Sequence, residues 1–222
     1  MLNRILFSLA TIFEKRAKIK ECAQFADKGM AAILNSVYYG ASVIEPFALS
    51  RSIQNELIQL KQFDPLTTSF LTAVWPAPIS AMPHSVPQLN DEMKEGPNVA
   101  MTYFRINGYA AECERTFFLS EPTAQEVELF EQMMEARNRA LALVRPGVKT
   151  ADIDAAARDY LESKGLLPTL LHRTGHGVGL GNHEAPFMAI GSDEVLEENM
   201  IITIEQAFIA RVKVAIVILI RF

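Results

Sequence analysis

The chain has 222 residues, half of them hydrophobic and 21% charged, with 11 Gly and 11 Pro; this is globular usage for one domain, or one domain with a short appendage, and it excludes disorder and low complexity. A formal net charge of −5 repels a phosphate backbone and excludes nucleic acid as a partner class. The only cysteines, Cys22 and Cys113, have no Cys-x-x-Cys spacing, so they offer neither a disulfide framework nor a zinc knuckle and read as buried small hydrophobes of a protein in the reducing cytoplasm.

In chain order, the mostly apolar segment 1–13 looks faintly like a signal peptide. Glu14, Lys15 and Arg16 follow it without a small-residue cleavage site, so it reads as a remnant or a helix start. From Glu14 to about Tyr38, Ala17, Ile19, Cys22, Phe25, Ala26, Met30, Ile33 and Leu34 recur mostly at three and four, which predicts an amphipathic helix. A second helix is expected from Pro46 to Leu60. Six prolines between Phe63 and Asn98 then favour strands and long loops. Asn98–Ile106 and Arg115–Leu119 read as strands around a turn at Asn107-Gly108. Thr123-x-x-Glu126 is a capping box opening a helix that Arg145-Pro146-Gly147 ends, and Thr150 can cap another that stops at Gly165. Beyond Leu167, short apolar pieces at Thr169–Leu171, Phe187–Ile190 and Met200–Phe208 predict strands. No stretch reaches the roughly 18 apolar residues of a membrane span, so no membrane partner is expected. Helices precede strands twice, which predicts an α+β fold of two similar halves with helices on one face of a curved, mostly antiparallel sheet.

Three of the four histidines fall in 172–184, where His172, His176 and His183 are interspersed with Gly175, Gly177, Gly179 and Gly181. Such glycine density lets backbones approach closely and leaves imidazoles standing in an open pocket. The apolar strand Ile201–Ile204 ends at Glu205. A carboxylate placed there is costly to bury unpaired, so it should face a metal, a cation or a substrate.

Gly175-His-Gly-Val-Gly-Leu-Gly-Asn-His-Glu-Ala-Pro186 and Met200-Ile-Ile-Thr-Ile-Glu205 resemble the two late motifs of the methionine aminopeptidase, prolidase, aminopeptidase P and creatinase superfamily. Gly108–Phe117 resembles its middle motif, and Met82-Pro-His84 its early one. The resemblance spans about 14–205 and implies a pita-bread catalytic domain over those residues, with 206–222 an atypical tail. It also implies a site in which two Asp, one His and two Glu hold two divalent ions. By that resemblance His176 and Glu205 fall on metal ligands, Glu112 takes the place of the second Asp, and His84 and His183 fall on the imidazoles that touch substrate.

The departures are equally specific. The first Asp position, eleven residues before Glu112, holds Met101, whose thioether is no substitute for a hard carboxylate. No Asp or Glu follows Glu205, so the last acidic ligand has no counterpart, and the tail departs from the family in chemistry and length. The expected last strands are therefore incomplete. Glu112, His176 and Glu205 would then hold at most one manganese, zinc or cobalt ion, or none. The run from Gly108 to Thr116 is close to the version in creatinase, a metal-free relative, where Glu114 would face substrate. The expectation is an Xaa-Pro dipeptidase or creatinase-type hydrolase of a small peptide, amide or guanidine-type molecule with impaired metal binding; the alternative is an inactive domain that only binds. A homodimer is expected through the unprotected apolar run 214–220.

Overall fold

The computed structural model describes residues 2–45, 53, 55, 59, 64–82 and 85–205, with side chains from residue 17 onward. Helix α1 spans Leu2–Leu34, so it begins earlier and ends sooner than the apolar periodicity predicts. Its turn-breaking residues are Asn35 and Ser36, whose amides bond back to Ala31 and Ile33. The helix expected at 46–60 falls almost wholly outside the described residues; of it, Ile53 is helical and buried.

Strands β1 (Ser69–Trp75), β2 (Asn98–Ile106) and β3 (Tyr109–Phe117) form an antiparallel sheet in that order. The turn at Asn107-Gly108 is as expected, with φ of 50° and 88°. The second strand is not: Ile106 pairs directly with Tyr109, so the ladder resumes at once and runs through Glu112 and Glu114. Small Ala110 and Ala111 had blurred the alternation there. Residues paired directly across an antiparallel ladder share a face. Ala100, Thr102 and Phe104 therefore lie with Arg115, Cys113 and Ala111 on one face, and Met101 and Tyr103 with Glu114 and Glu112 on the other.

The first face packs on α1, in a core of Ile19, Cys22, Phe25, Ala26, Met30, Phe104, Ile106, Ala111 and Cys113. The Thr102 hydroxyl donates to the Ala26 carbonyl at 2.7 Å, which satisfies a polar group inside that contact. Both cysteines are buried and free, as expected, and burial pushes each thiol up to about 12.

The second half repeats the plan of helices on one sheet face. Helix α2 (Ala124–Leu143) opens on the expected capping box, in which Thr123 accepts from the Glu126 amide while Glu126 reaches back to the Thr123 amide. Helix α3 (Thr150–Ser163) has Lys149 rather than Thr150 at its N-cap position, with no side-chain capping bond, and Gly165 at φ 69° follows the helix. Thr150 does not cap because its buried hydroxyl is turned to Ser192 Oγ at 2.8 Å and the Glu194 carbonyl at 3.3 Å. The strand expected at 169–171 is a tight turn, Leu167–Thr169, with Pro168 at its start.

Strands β4 (Gly175–Gly177) and β5 (Glu184–Met188) pair antiparallel, so the latter begins three residues before the expected Phe187. Residues 201–205 run alongside β4, through bonds from Val178 N to Ile201 O, Thr203 N to His176 O and Glu205 N to Thr174 O. Ile202, Ile204 and Met188 face the core built by α2 and α3, with Met133, Ile153, Ala157 and Leu161. The rest of the strand expected to reach Phe208, and the tail with its proposed edge, lie outside the described residues.

The cap is a local test of this architecture. Thr123→Ala should lower the unfolding free energy by about 1 kcal/mol and the melting midpoint by ~2–4 °C, read by thermal denaturation.

Candidate metal and peptidase site

Each residue of the site is delivered by a different stretch of backbone. Glu112 is buried on the α1-remote face of β3. His176 is the middle residue of β4, 1% exposed. Glu205 sits two residues after Thr203, whose hydroxyl donates to its Oε1 at 3.1 Å and accepts from the His176 amide at 3.1 Å. His183 stands at the solvent side, its ring edge-on to that of His176 with centroids 4.1 Å apart. One ligand atom from each of Glu112, His176, His183 and Glu205 lies within 4.8 Å of the others.

Glycine makes this convergence feasible. A Cβ on Gly175 would lie 2.0 Å from the Thr203 carbonyl oxygen, and one on Gly177 would lie 2.3 Å from that of Ala185. No side chain fits between those backbones. The approach to the site is clamped from the helix side by Asp154, fully buried in α3, which accepts from Thr174 N at 3.0 Å and Thr174 Oγ1 at 2.6 Å while pairing with Arg158 at 2.7 Å. Neither Asp154 nor Thr203 stands out in the sequence; the one signal there is an acid on the apolar stripe of Ile153, Ala157 and Leu161.

The electrostatics follow from two carboxylates around one imidazole. His176 Nε2 lies 2.7 Å from Glu205 Oε1 and 3.4 Å from Glu112 Oε1. Neither approach is aligned as a hydrogen bond, and Nε2 and Glu112 Oε1 are buried without such a partner. On the other side of the ring, Nδ1 is 3.0 Å from the Gly177 carbonyl, which can only accept. Nδ1 is thus a donor in either charge state, so that an ion replacing the proton on Nε2 would meet the ring nitrogen on the carboxylate side, the arrangement of a metal-ligating histidine.

Burial opposes the charge on His176, but Glu112 and Glu205 outweigh it and push the imidazole up to about 10. Burial likewise opposes the Glu205 charge, and His176 outweighs it, holding that carboxyl below its ordinary value. His183 is lowered, first by partial burial and then by the charge on His176. The donor set of two carboxylates and an imidazole, with a second imidazole adjacent, fits one dication in charge and in atom type.

Of the remaining sequence candidates, Met101 pairs with Glu114 across the ladder and so lies on the same sheet face as Glu112, with a thioether where the resemblance implies an acid. Glu114 shares this face. His84 lies outside the described residues.

A model of metallopeptidase family M24 matches residues 17–218. The chain belongs to family M24. It is 32% identical to an Xaa-Pro dipeptidase of Lactobacillus delbrueckii subsp. lactis over 90% of this chain and 52% of that one. Among solved structures, it is similar to a prolidase from Pyrococcus furiosus, with a TM-score of 0.81 and 26% identity over 94% of this chain and 61% of that chain. An Xaa-Pro dipeptidase from Bacillus anthracis gives 0.76 and 30% over 91% and 56%. This M24 chain thus has the pita-bread α+β fold, and it spans about half the length of the curated relatives it matches. Among the described residues, no helix is long and apolar enough to cross a membrane.

The raised pKa has a thermodynamic consequence for the metal-free chain. A His whose folded-state value exceeds the ordinary 6.5 stabilises the fold fully below pH 6.5, and that stabilisation fades as the pH rises toward about 10. The melting midpoint of chelator-treated protein should fall by ~3 °C or more across this window, and His176→Gln should remove most of the decline.

Proposed function

We propose that this chain is a hydrolase of the Xaa-Pro dipeptidase type that holds a single divalent ion on Glu112, His176 and Glu205. The observation that carries the reading is the convergence of two carboxylates and an imidazole whose Nε2 faces them, from three separate segments, in a family M24 fold. When bound, the ion would supply Lewis acidity toward the scissile carbonyl and toward water.

The chain's own residues account for the rest. His183, exposed and with its imidazole pKa lowered, can donate a hydrogen bond from its neutral ring to the carbonyl oxygen of the Xaa-Pro bond, whose tertiary amide has no hydrogen to offer in return. His84, in the early motif, is assigned the second substrate contact. Glu114, on the same sheet face as Glu112, is assigned to the substrate's cationic end. Thr203 fixes Glu205 and the His176 backbone through one hydroxyl, holding the donors in register. The substrate class is a small Xaa-Pro peptide, and the one-ion limit rests on Met101 standing beside the site where a second ion would need an acid.

Met101 also favours a second reading, metal-free hydrolysis of a C–N bond in a small amide or guanidine, with Glu114 anchoring the substrate and His84 moving the proton. The two readings part on chelation. Hydrolysis of Ala-Pro by protein stripped with EDTA and reloaded with manganese, zinc or cobalt should reappear with the metal, at no more than one ion per chain by elemental analysis. Glu205→Gln should lower it at least ~100-fold. Two ions per chain would refute the ligand assignment, and turnover indifferent to chelation would transfer support to the metal-free reading.

A further inference from the structure

Arg173, three residues before His176, has no part in the donor set. Its guanidinium carbon lies 4.7 Å from the centroid of the Phe187 ring. Phe187 is the direct cross-strand partner of His176, whereas Met188 next to it enters the core under α2 and α3. Phe187 therefore shares the sheet face of His176, and the guanidinium stacked on it stands on the site side of the sheet. Its charge is felt at His183, where it contributes to the lowering of that imidazole.

Among the described residues, Arg173 has no acidic partner. Its Nε is buried without a hydrogen-bond partner. Arg173 is half-buried, and the desolvation of that one nitrogen is a cost that an anion reaching the guanidinium would offset. The aromatic platform restricts its orientation in advance, which favours two-pronged recognition of a planar anion. The peptide of the proposed reaction brings anions of that shape and no other kind.

We infer that Arg173 forms a carboxylate-binding subsite for the peptide substrate, beside the proposed metal donors. This rests on the Xaa-Pro reading. A dipeptide has two carboxylates that could fill the role: the free α-carboxylate after the proline, or an acidic side chain on the first residue. Guanidinium and carboxylate form the same paired hydrogen bonds in either case.

The test compares Ala-Pro with Ala-Pro amide, and Glu-Pro with Gln-Pro, in the full chain and in Arg173→Met and Arg173→Lys. Two readouts are taken: kcat/KM with metal-loaded protein, and dissociation constants from calorimetry with chelator-treated protein. In the unsubstituted chain one pair should favour the carboxylate about tenfold or more, and that pair identifies which carboxylate is bound. Arg173→Met, which keeps an unbranched apolar side chain available to Phe187, should bring the ratio near one, and Arg173→Lys should restore part of it. A structural prop would change stability without moving either ratio. Parity in both pairs for the unsubstituted chain, or a preference that survives Arg173→Met, overturns the inference. Failure of metal-loaded protein to cleave any of the four peptides overturns the Xaa-Pro reading, and the calorimetric ratios then decide on Arg173 by themselves.

Discussion

Glu112 and Glu205 are brought within a few ångströms of one another where the two sheets meet, and acids that close in a buried position are stable only with positive charge between them. In the metal-free chain that charge is the proton His176 keeps to about pH 10. A divalent ion would meet the same demand more fully, balancing both carboxylates and displacing the proton from Nε2. The site is thus a place where charge must be supplied, and proton and metal compete for it.

The architecture around the site serves that requirement. Both halves turn one sheet face to helices and leave the other for polar groups. Strand alternation then sends Phe104, Ala111 and Ile202 into cores while Glu112, His176 and Glu205 meet on the opposite side. A backbone bond from Ala110 N to Gly179 O, at 2.8 Å, ties the first sheet to the glycine-rich loop of the second. Gly175 and Gly177 admit carbonyls at distances no side chain tolerates, and Asp154 clamps Thr174 from behind. Phe187 extends the same polar face toward Arg173, which links the donor cluster to the surface that would read the substrate.

What the sequence made legible was what is encoded locally. The capping box at Thr123, the Asn107-Gly108 turn and the stop at Gly165 depend on a few adjacent residues, and each stands where it was expected. Glu112, His176, His183 and Glu205 were readable because glycine spacing and a strand-terminal acid are unusual in a purely structural role, and because their motifs resemble a family. Features set by distant partners were not legible. Thr150 looks like a cap until Ser192 and Glu194 draw its hydroxyl away. The start of β3 was hidden by two alanines that fit any pattern. Arg173 appeared only as a link in a motif, since its stacking on Phe187 depends on a strand pairing that no local pattern announces.

Anomalous diffraction from crystals grown with manganese tests whether these segments together hold one cation. A single anomalous peak per chain is expected, within about 2.5 Å of a Glu112 oxygen, His176 Nε2 and a Glu205 oxygen. No peak at that position, or a second ion bound on the Met101 side of Glu112, would contradict the one-cation reading.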